Sequence, residues 1–143
     1  MTTTCVWQGN WYYEGKYALG VARSTSLMGP YEKATEPLLK TSANLSNPFA
    51  GPGHASVLQT EEGDYYVLYH AWVRDRQGRP IYERGRQMLR DRISWTPDGW
   101  PIGGNAGEPT FSSHVPTARS RDVPWHSIPP KEEKRHTPRS SAA

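Results

Sequence analysis

The chain has one cysteine, Cys5, in 143 residues. That excludes an internal disulfide and any zinc site built from several cysteines, and with them a disulfide-stapled miniprotein. It has no run of 18 apolar residues, so no membrane-spanning helix is readable and no membrane partner is expected. The opening Met1-Thr2-Thr3-Thr4-Cys5 has no basic stretch followed by an apolar one, so no secretory signal is readable there. Localisation stays open on this sequence. No segment combines helix caps with an apolar stripe at 3.6-residue spacing, so no long helix is expected. Thirteen Gly and thirteen Pro argue the same way. Mean hydropathy is low, at −0.80. Six Trp, eight Tyr and two Phe nevertheless speak against a wholly disordered chain. The length suits one domain.

Net charge is missing from the body and present at the end. Residues 1–111 hold eleven basic and eleven acidic side chains, whereas residues 112–143 hold six and three. The net charge of +3 therefore belongs to the last 32 residues. That segment carries five prolines and only Val115, Val123 and Ile128 as aliphatic content. It cannot bury enough apolar surface to offset its ordering entropy, and it reads as a disordered, solvated, basic tail. A polyanion-binding tail is a third-ranked reading. Nothing in residues 1–111 resembles a basic groove with stacking aromatics, so no nucleic-acid partner is expected.

The body reads as β-structure. Runs rich in aromatic and β-branched residues are bounded by turn residues. They are Tyr17 to Arg23, Tyr31 to Lys33, His54 to Gln59, Tyr65 to Trp72, Arg86 to Ile93, and a short unit around Trp95 to Ile102. Thr41 to Pro52 reads as a loop, and Glu61-Glu62-Gly63-Asp64 as a hairpin turn. Residues 54–102 thus give one four-stranded antiparallel unit of about 50 residues, the size of a propeller blade. Residues 11–33 give part of a second, with Tyr12-Tyr13 as an inner strand. The expectation is all-β: about one and a half blades over residues 1–111, followed by the tail at 112–143.

Four patterns in this order carry a resemblance. They are Gly15-x-Tyr17-x-x-Gly20-Val21-Ala22-Arg23-Ser24 with Gly29-Pro30-Tyr31-Glu32; Gly51-Pro52-Gly53-His54-Ala55-Ser56-Val57; Tyr65-Tyr66-Val67-Leu68-Tyr69-His70-Ala71-Trp72; and Gly85-Arg86-Gln87-Met88-Leu89 with Trp95-x-x-Asp98-Gly99-Trp100-Pro101. Over about residues 9–104 the chain resembles the C-terminal part of glycoside hydrolase family 43. The resemblance implies a five-bladed β-propeller that hydrolyses arabinose- or xylose-containing glycans with inversion. Such chemistry needs a base and a protonated acid, and the resemblance implies a third acidic group that tunes the acid. By the resemblance these carboxylates lie in earlier blades, so no catalytic residue is assigned here and the isolated chain is expected to be inactive. A non-catalytic carbohydrate-binding or assembly module is the alternative. Glu14 reads as a turn glutamate, Glu61, Glu62 and Asp64 as solvated tip residues, and Asp91 as an inward-facing, hydrogen-bonded acid.

The resemblance assigns two residues by motif. His54 matches a histidine that helps hold a central calcium ion, partly through water. Arg86 matches an arginine reaching into the substrate pocket, where a planar cation suits sugar hydroxyls or a carboxylate. Trp11 and Tyr12, next to a turn, are the candidates for stacking on a sugar. Trp72, Trp95 and Trp100 read as core between blades, His70 as structural, and Cys5 as a thiol in a frayed N-terminus. Open sheet faces and edges predict self-association.

Overall fold

The computed structural model describes residues 2–111, and the tail expectation lies outside the described residues. The architecture is all-β. Strands β1 (Thr3–Gly9), β2 (Ala18–Ser24) and β3 (Glu32–Lys33) form one antiparallel sheet in that order. Strands β4 (Phe49–Gln59), β5 (Tyr65–Val73), β6 (Arg86–Trp95) and β7 (Pro101–Gly103) form a second. Two single 3₁₀ turns, Tyr12–Glu14 and Tyr82–Arg84, are the helical elements among these residues. No helix among them is long and apolar enough to cross a membrane.

The second sheet is the complete blade expected from residues 54–102, with the hairpin at Gly63 (φ 89°) closed by Thr60 N–H to Asp64 O at 2.8 Å. The first differs from expectation in two places. Tyr12-Tyr13 is a 3₁₀ turn rather than a strand, because Gly15 in the left-handed region (φ 66°) reverses the chain there. The N-terminal residues are not frayed. Thr3 to Gly9 pair with β2 through seven registered partners, Thr3 with Ser24 at one end and Gly9 with Ala18 at the other. Cys5 is an exposed thiol on that strand. The Thr-rich run has weak alternation, and its partner strand supplies the order.

β4 also begins earlier than its pattern suggests. Its register with β5 shifts between Ala50 and Gly53 and again between Gly53 and Ser56. Gly51 (φ 61°) and His54 (φ 54°) take positive φ within it. Two bulges and a proline make a strand that looks like a loop in sequence.

The core lies between the two sheets. Leu19 and Val21 of β2 meet Val67, Tyr69 and Ala71 of β5 and Ile93 of β6. Between them runs the segment carrying Leu38 and Leu39, both with no exposed surface. Leu19 N–H donates to Leu39 O at 2.9 Å, and Gly103 N–H to Leu38 O at 3.0 Å. This strap bonds both sheets and fills the space between them. Its leucines sit in a Pro- and Thr-rich stretch that shows no strand pattern.

Asp91 is buried as expected, at 1% exposure. It accepts the Tyr69 hydroxyl, the Thr110 hydroxyl, and the Thr110 N–H at 3.2 Å. Burial, then the adjacent carboxylate, pushes the Tyr69 phenol far above its ordinary range, so Tyr69 stays a donor. Of the tryptophans expected in the core, Trp72 is buried and Trp100 packs, partly buried, against the core cluster. Trp95 is 48% exposed and meets the edge of Tyr65, with ring centroids 5.7 Å apart. The hairpin it belongs to ends at β7, the outer strand of its sheet.

Asp91→Ala is expected to lower the free energy of unfolding by about 3 kcal/mol, because buried donors lose their acceptor, and Tyr69→Phe by about 1 kcal/mol. Urea titrations of the two variants and the parent check this, and coincident midpoints would remove Asp91 from the supports of the fold.

Candidate functional site

The start of β4, the end of β5 and the start of β6 lie side by side, since Gly53 pairs with His70 and Trp72 pairs with both Ala50 and Arg86. The β1–β2 connection crosses this end. It approaches closely because two positions carry no side chain. A Cβ on Gly53 would overlap the Tyr17 ring, and one on Gly51 would stand 3.2 Å from Gly15 Cα. Thr41 joins the layers, its hydroxyl donating to Gly15 O at 2.6 Å and accepting Gly51 N–H at 2.8 Å.

Arg86 is the centre of the resulting cluster. Its Nε donates to His70 Nδ1. Its Nη2 donates to Gly51 O at 2.6 Å and His70 O at 2.5 Å. The guanidinium carbon lies 5.3 Å from the Trp72 ring centroid and 5.7 Å from that of Tyr17. Nη1 is buried and has no hydrogen-bond partner among the described residues. Burial lowers the Arg86 pKa and the phenols of Tyr17 and Tyr12 oppose that shift. The group stays charged, because guanidinium starts far above neutrality.

The histidines sit beside it. His54 and His70 stack with centroids 5.3 Å apart and planes 19° apart. Burial, then the charges of Arg86 and His54, lowers the His70 pKa. The neutral ring is the form that accepts at Nδ1. His54 holds its positive φ with its N–H donating to Gln8 Oε1 at 2.6 Å, and the same oxygen accepts the Tyr17 hydroxyl.

An aromatic shelf borders the cluster. Trp11 is 61% exposed, with Tyr12 and Tyr13 beside it at centroid separations of 5.6 and 6.1 Å. Tyr13 stacks on Trp72 at 6.2 Å. Trp72 Nε1 donates to Tyr12 O at 2.8 Å, and the Tyr82 hydroxyl to Tyr13 O at 2.6 Å. Cross-element hydrogen bonds thus fix exposed rings in place.

All four residues singled out in the sequence, Trp11, Tyr12, His54 and Arg86, therefore lie at one end of the fold. Gln8, Tyr17 and His70 complete the cluster and were not singled out for it. Gln8 lies outside every quoted motif, and Tyr17 and His70 lie inside motifs that gave them no role in the site; their roles come from β1 pairing, the bare Gly53 and the β5–β6 ladder. Carboxylates are differently placed. Glu14 is ion-paired with Lys16 at 2.7 Å, Asp64 with Arg92 at the hairpin end, and Asp91 lies in the core. No cluster of three or more His, Cys, Asp or Glu suited to a metal occurs among the described residues. A calcium ion takes six to eight oxygen ligands. His54, with another histidine and a guanidinium nearby, does not by itself fit one.

The described residues also form a cleft of about 650 Å³ at the other end of β2 and β6, lined in part by Arg23, Glu32, Trp95 and Asp98. Its arginine is satisfied by Glu32 at 3.1 Å and Asp98 O at 2.6 Å. Arg86 Nη1, buried and without a hydrogen-bond partner among the described residues, lies at the opposite end, which is the better candidate.

The family model "Glycosyl hydrolases family 43" matches residues 8–101. A putative beta-xylosidase of Escherichia coli K12 is 36% identical over 109 residues, which is 64% of this chain and 20% of the relative. A non-reducing end alpha-L-arabinofuranosidase of Bacteroides ovatus is 31% identical, over 66% of this chain and 19% of the relative. The solved xylan beta-1,4-xylosidase of Bacillus halodurans C-125 superposes with a TM-score of 0.71 at 24% identity, covering 81% of this chain and 22% of that one. The chain thus spans about a fifth of the length of these relatives.

Gly53→Ala is expected to expel the Tyr17 ring and destabilise the chain by about 2 kcal/mol, with loss of near-UV circular dichroism from the cluster. Because the donor set around His54 does not fit the ion, adding calcium to the metal-free chain is expected to leave its melting temperature unchanged. A calorimetric scan with and without calcium checks this.

Proposed function

This chain belongs to glycosyl hydrolases family 43, and from that we propose that it forms the C-terminal blades of a glycoside hydrolase acting on xylose- or arabinose-containing glycans. The observation that carries the proposal is Arg86 Nη1, a buried cationic donor without a partner, beside a shelf of exposed aromatic rings. An unpaired buried donor is costly, and an acceptor from outside the described residues would relieve that cost. A sugar hydroxyl or a carboxylate from an earlier blade has the right chemistry. Trp11 and Tyr12 would take the apolar face of a pyranose or furanose ring, while Arg86 orients its hydroxyls.

Hydrolysis further requires two carboxylates flanking the glycosidic oxygen. In this proposal they come from segments other than residues 2–111, and the present residues bind and orient. A calcium ion near His54 would be held through water and through oxygens from those other segments. The same incompleteness applies to the sheets. β1 is an edge strand, with one side unpaired among the described residues and Trp7 37% exposed. Further blades, or a second copy in their absence, would cover that edge.

Isothermal titration of the chain with xylobiose and arabinobiose tests the binding role. Arg86→Ala is expected to weaken binding at least tenfold and Trp11→Ala about threefold, with no sugar released by the chain alone. Equal affinity in the parent and Arg86→Ala would reject the role given to Arg86. Sedimentation of the chain at rising concentration is expected to show self-association, and a strict monomer would reject the open edge as a docking site.

A further inference from the structure

We infer that His70 is the positioning residue for Arg86: its imidazole Nδ1 sets the plane of the guanidinium and so aims Nη1 at the incoming acceptor. The inference deepens the binding role proposed for Arg86 and rests on it. Arginine has a long, freely rotating side chain, and a donor that wanders loses much of its directional value. Two contacts from a single nitrogen, Nη2 to Gly51 O and to His70 O, anchor one corner of the guanidinium. They leave it free to turn about that corner. The third contact, from Nε to His70 Nδ1, engages a second nitrogen and fixes the plane. It is the only one of the three made to a side chain, and so the only one that a substitution can remove directly.

The ladder explains how the two residues meet. Trp72 is opposite Arg86 and His70 is opposite Met88, so His70 and Arg86 are diagonal neighbours across β5 and β6. Arg86 itself lies against the Trp72 ring. The His70 ring is steadied in turn. It stacks on His54, whose unusual backbone is tied to Gln8 on the other sheet. An ordered path therefore runs from Gln8 through His54 and His70 to Arg86. With Nε and Nη2 engaged, Nη1 is the nitrogen left to donate, and Arg86 presents one edge rather than a two-pronged fork. That geometry suits a single hydroxyl or one carboxylate oxygen.

The experiment uses the full chain and four variants: His70→Ala, His70→Asn, Arg86→Ala, and the double variant His70→Ala/Arg86→Ala. Two readouts are taken. The first is the Arg86 Nε–H resonance and its exchange with water. It is expected to be protected in the parent and in His70→Asn, whose Oδ1 replaces the lost acceptor, and to exchange freely in His70→Ala. The second is xylobiose affinity. His70→Ala is expected to weaken it about tenfold, the scale of one charge-assisted hydrogen bond, and to have no further effect when Arg86 is already alanine. An unchanged Nε–H signal in His70→Ala overturns the inference. So does a loss of affinity that is equally large in the Arg86→Ala background, because it would mean His70 acts on the fold and not through Arg86. If the resonance behaves as expected but Arg86→Ala binds xylobiose as well as the parent, positioning stands and the sugar-binding role of Arg86 fails. Thermal melts of each variant separate these outcomes from unfolding, and His70→Asn keeps the test open should His70→Ala not fold.

Discussion

A methyl group at Gly53 would occupy the space of the Tyr17 ring, and one at Gly51 would press on the backbone of Gly15. Close packing leaves no room to absorb either. These two bare positions let the connection between β1 and β2 lie directly on β4. From that contact follow Tyr17 against the guanidinium, Gln8 against the His54 backbone, and the aromatic shelf beside them. The β4 bulges serve the same end by turning backbone carbonyls toward the cluster, one of which, Gly51 O, accepts from Arg86.

The rest of the structure holds that contact in register. Two sheets that meet only through side chains would slide, but the strap at Leu38 and Leu39 bonds to both through its backbone. Asp91 adds a polar tie inside an apolar core, gathering Tyr69 and Thr110. A buried acid with several donors is stabilising only while all of them are in place. It thus fixes one arrangement of the sheet and the segment after β7. The division of labour that results is clear in the distribution of charge. Asp91 sits in the core and Asp64 in a hairpin-end ion pair, while the exposed end holds a guanidinium, two histidines and aromatic rings, with Glu14 there paired to Lys16. Cleavage of a glycosidic bond needs a paired acid and base, and Glu14, the carboxylate beside the aromatic shelf, is held in an exposed ion pair with Lys16.

Much of this was legible in the residues. The strand pattern from Tyr65 to Trp72, the Gly63 hairpin and the Trp-flanked turn near Gly99 gave the complete sheet, because alternation and turn chemistry are local properties. The inward orientation of Asp91 followed from strand alternation between two arginines. Arg86 and His54 were singled out by short motifs beside glycines, and Trp11 and Tyr12 by preceding a turn. What stayed hidden was non-local. β1 is a strand because β2 pairs with it, Leu38 and Leu39 are core because two sheets close over them, and Trp95 is exposed because its hairpin ends at an outer strand.

The sequence by itself therefore determined the all-β class, most strands of the second sheet, the family and the residue types available for chemistry, since alternation, turn residues and motifs are each written in short windows. Only the tertiary structure decided which of those residues act together. Gln8, Tyr17 and His70 meet Arg86 through strand pairing and close backbone approach, and such contacts between residues tens of positions apart leave no periodic trace along the chain.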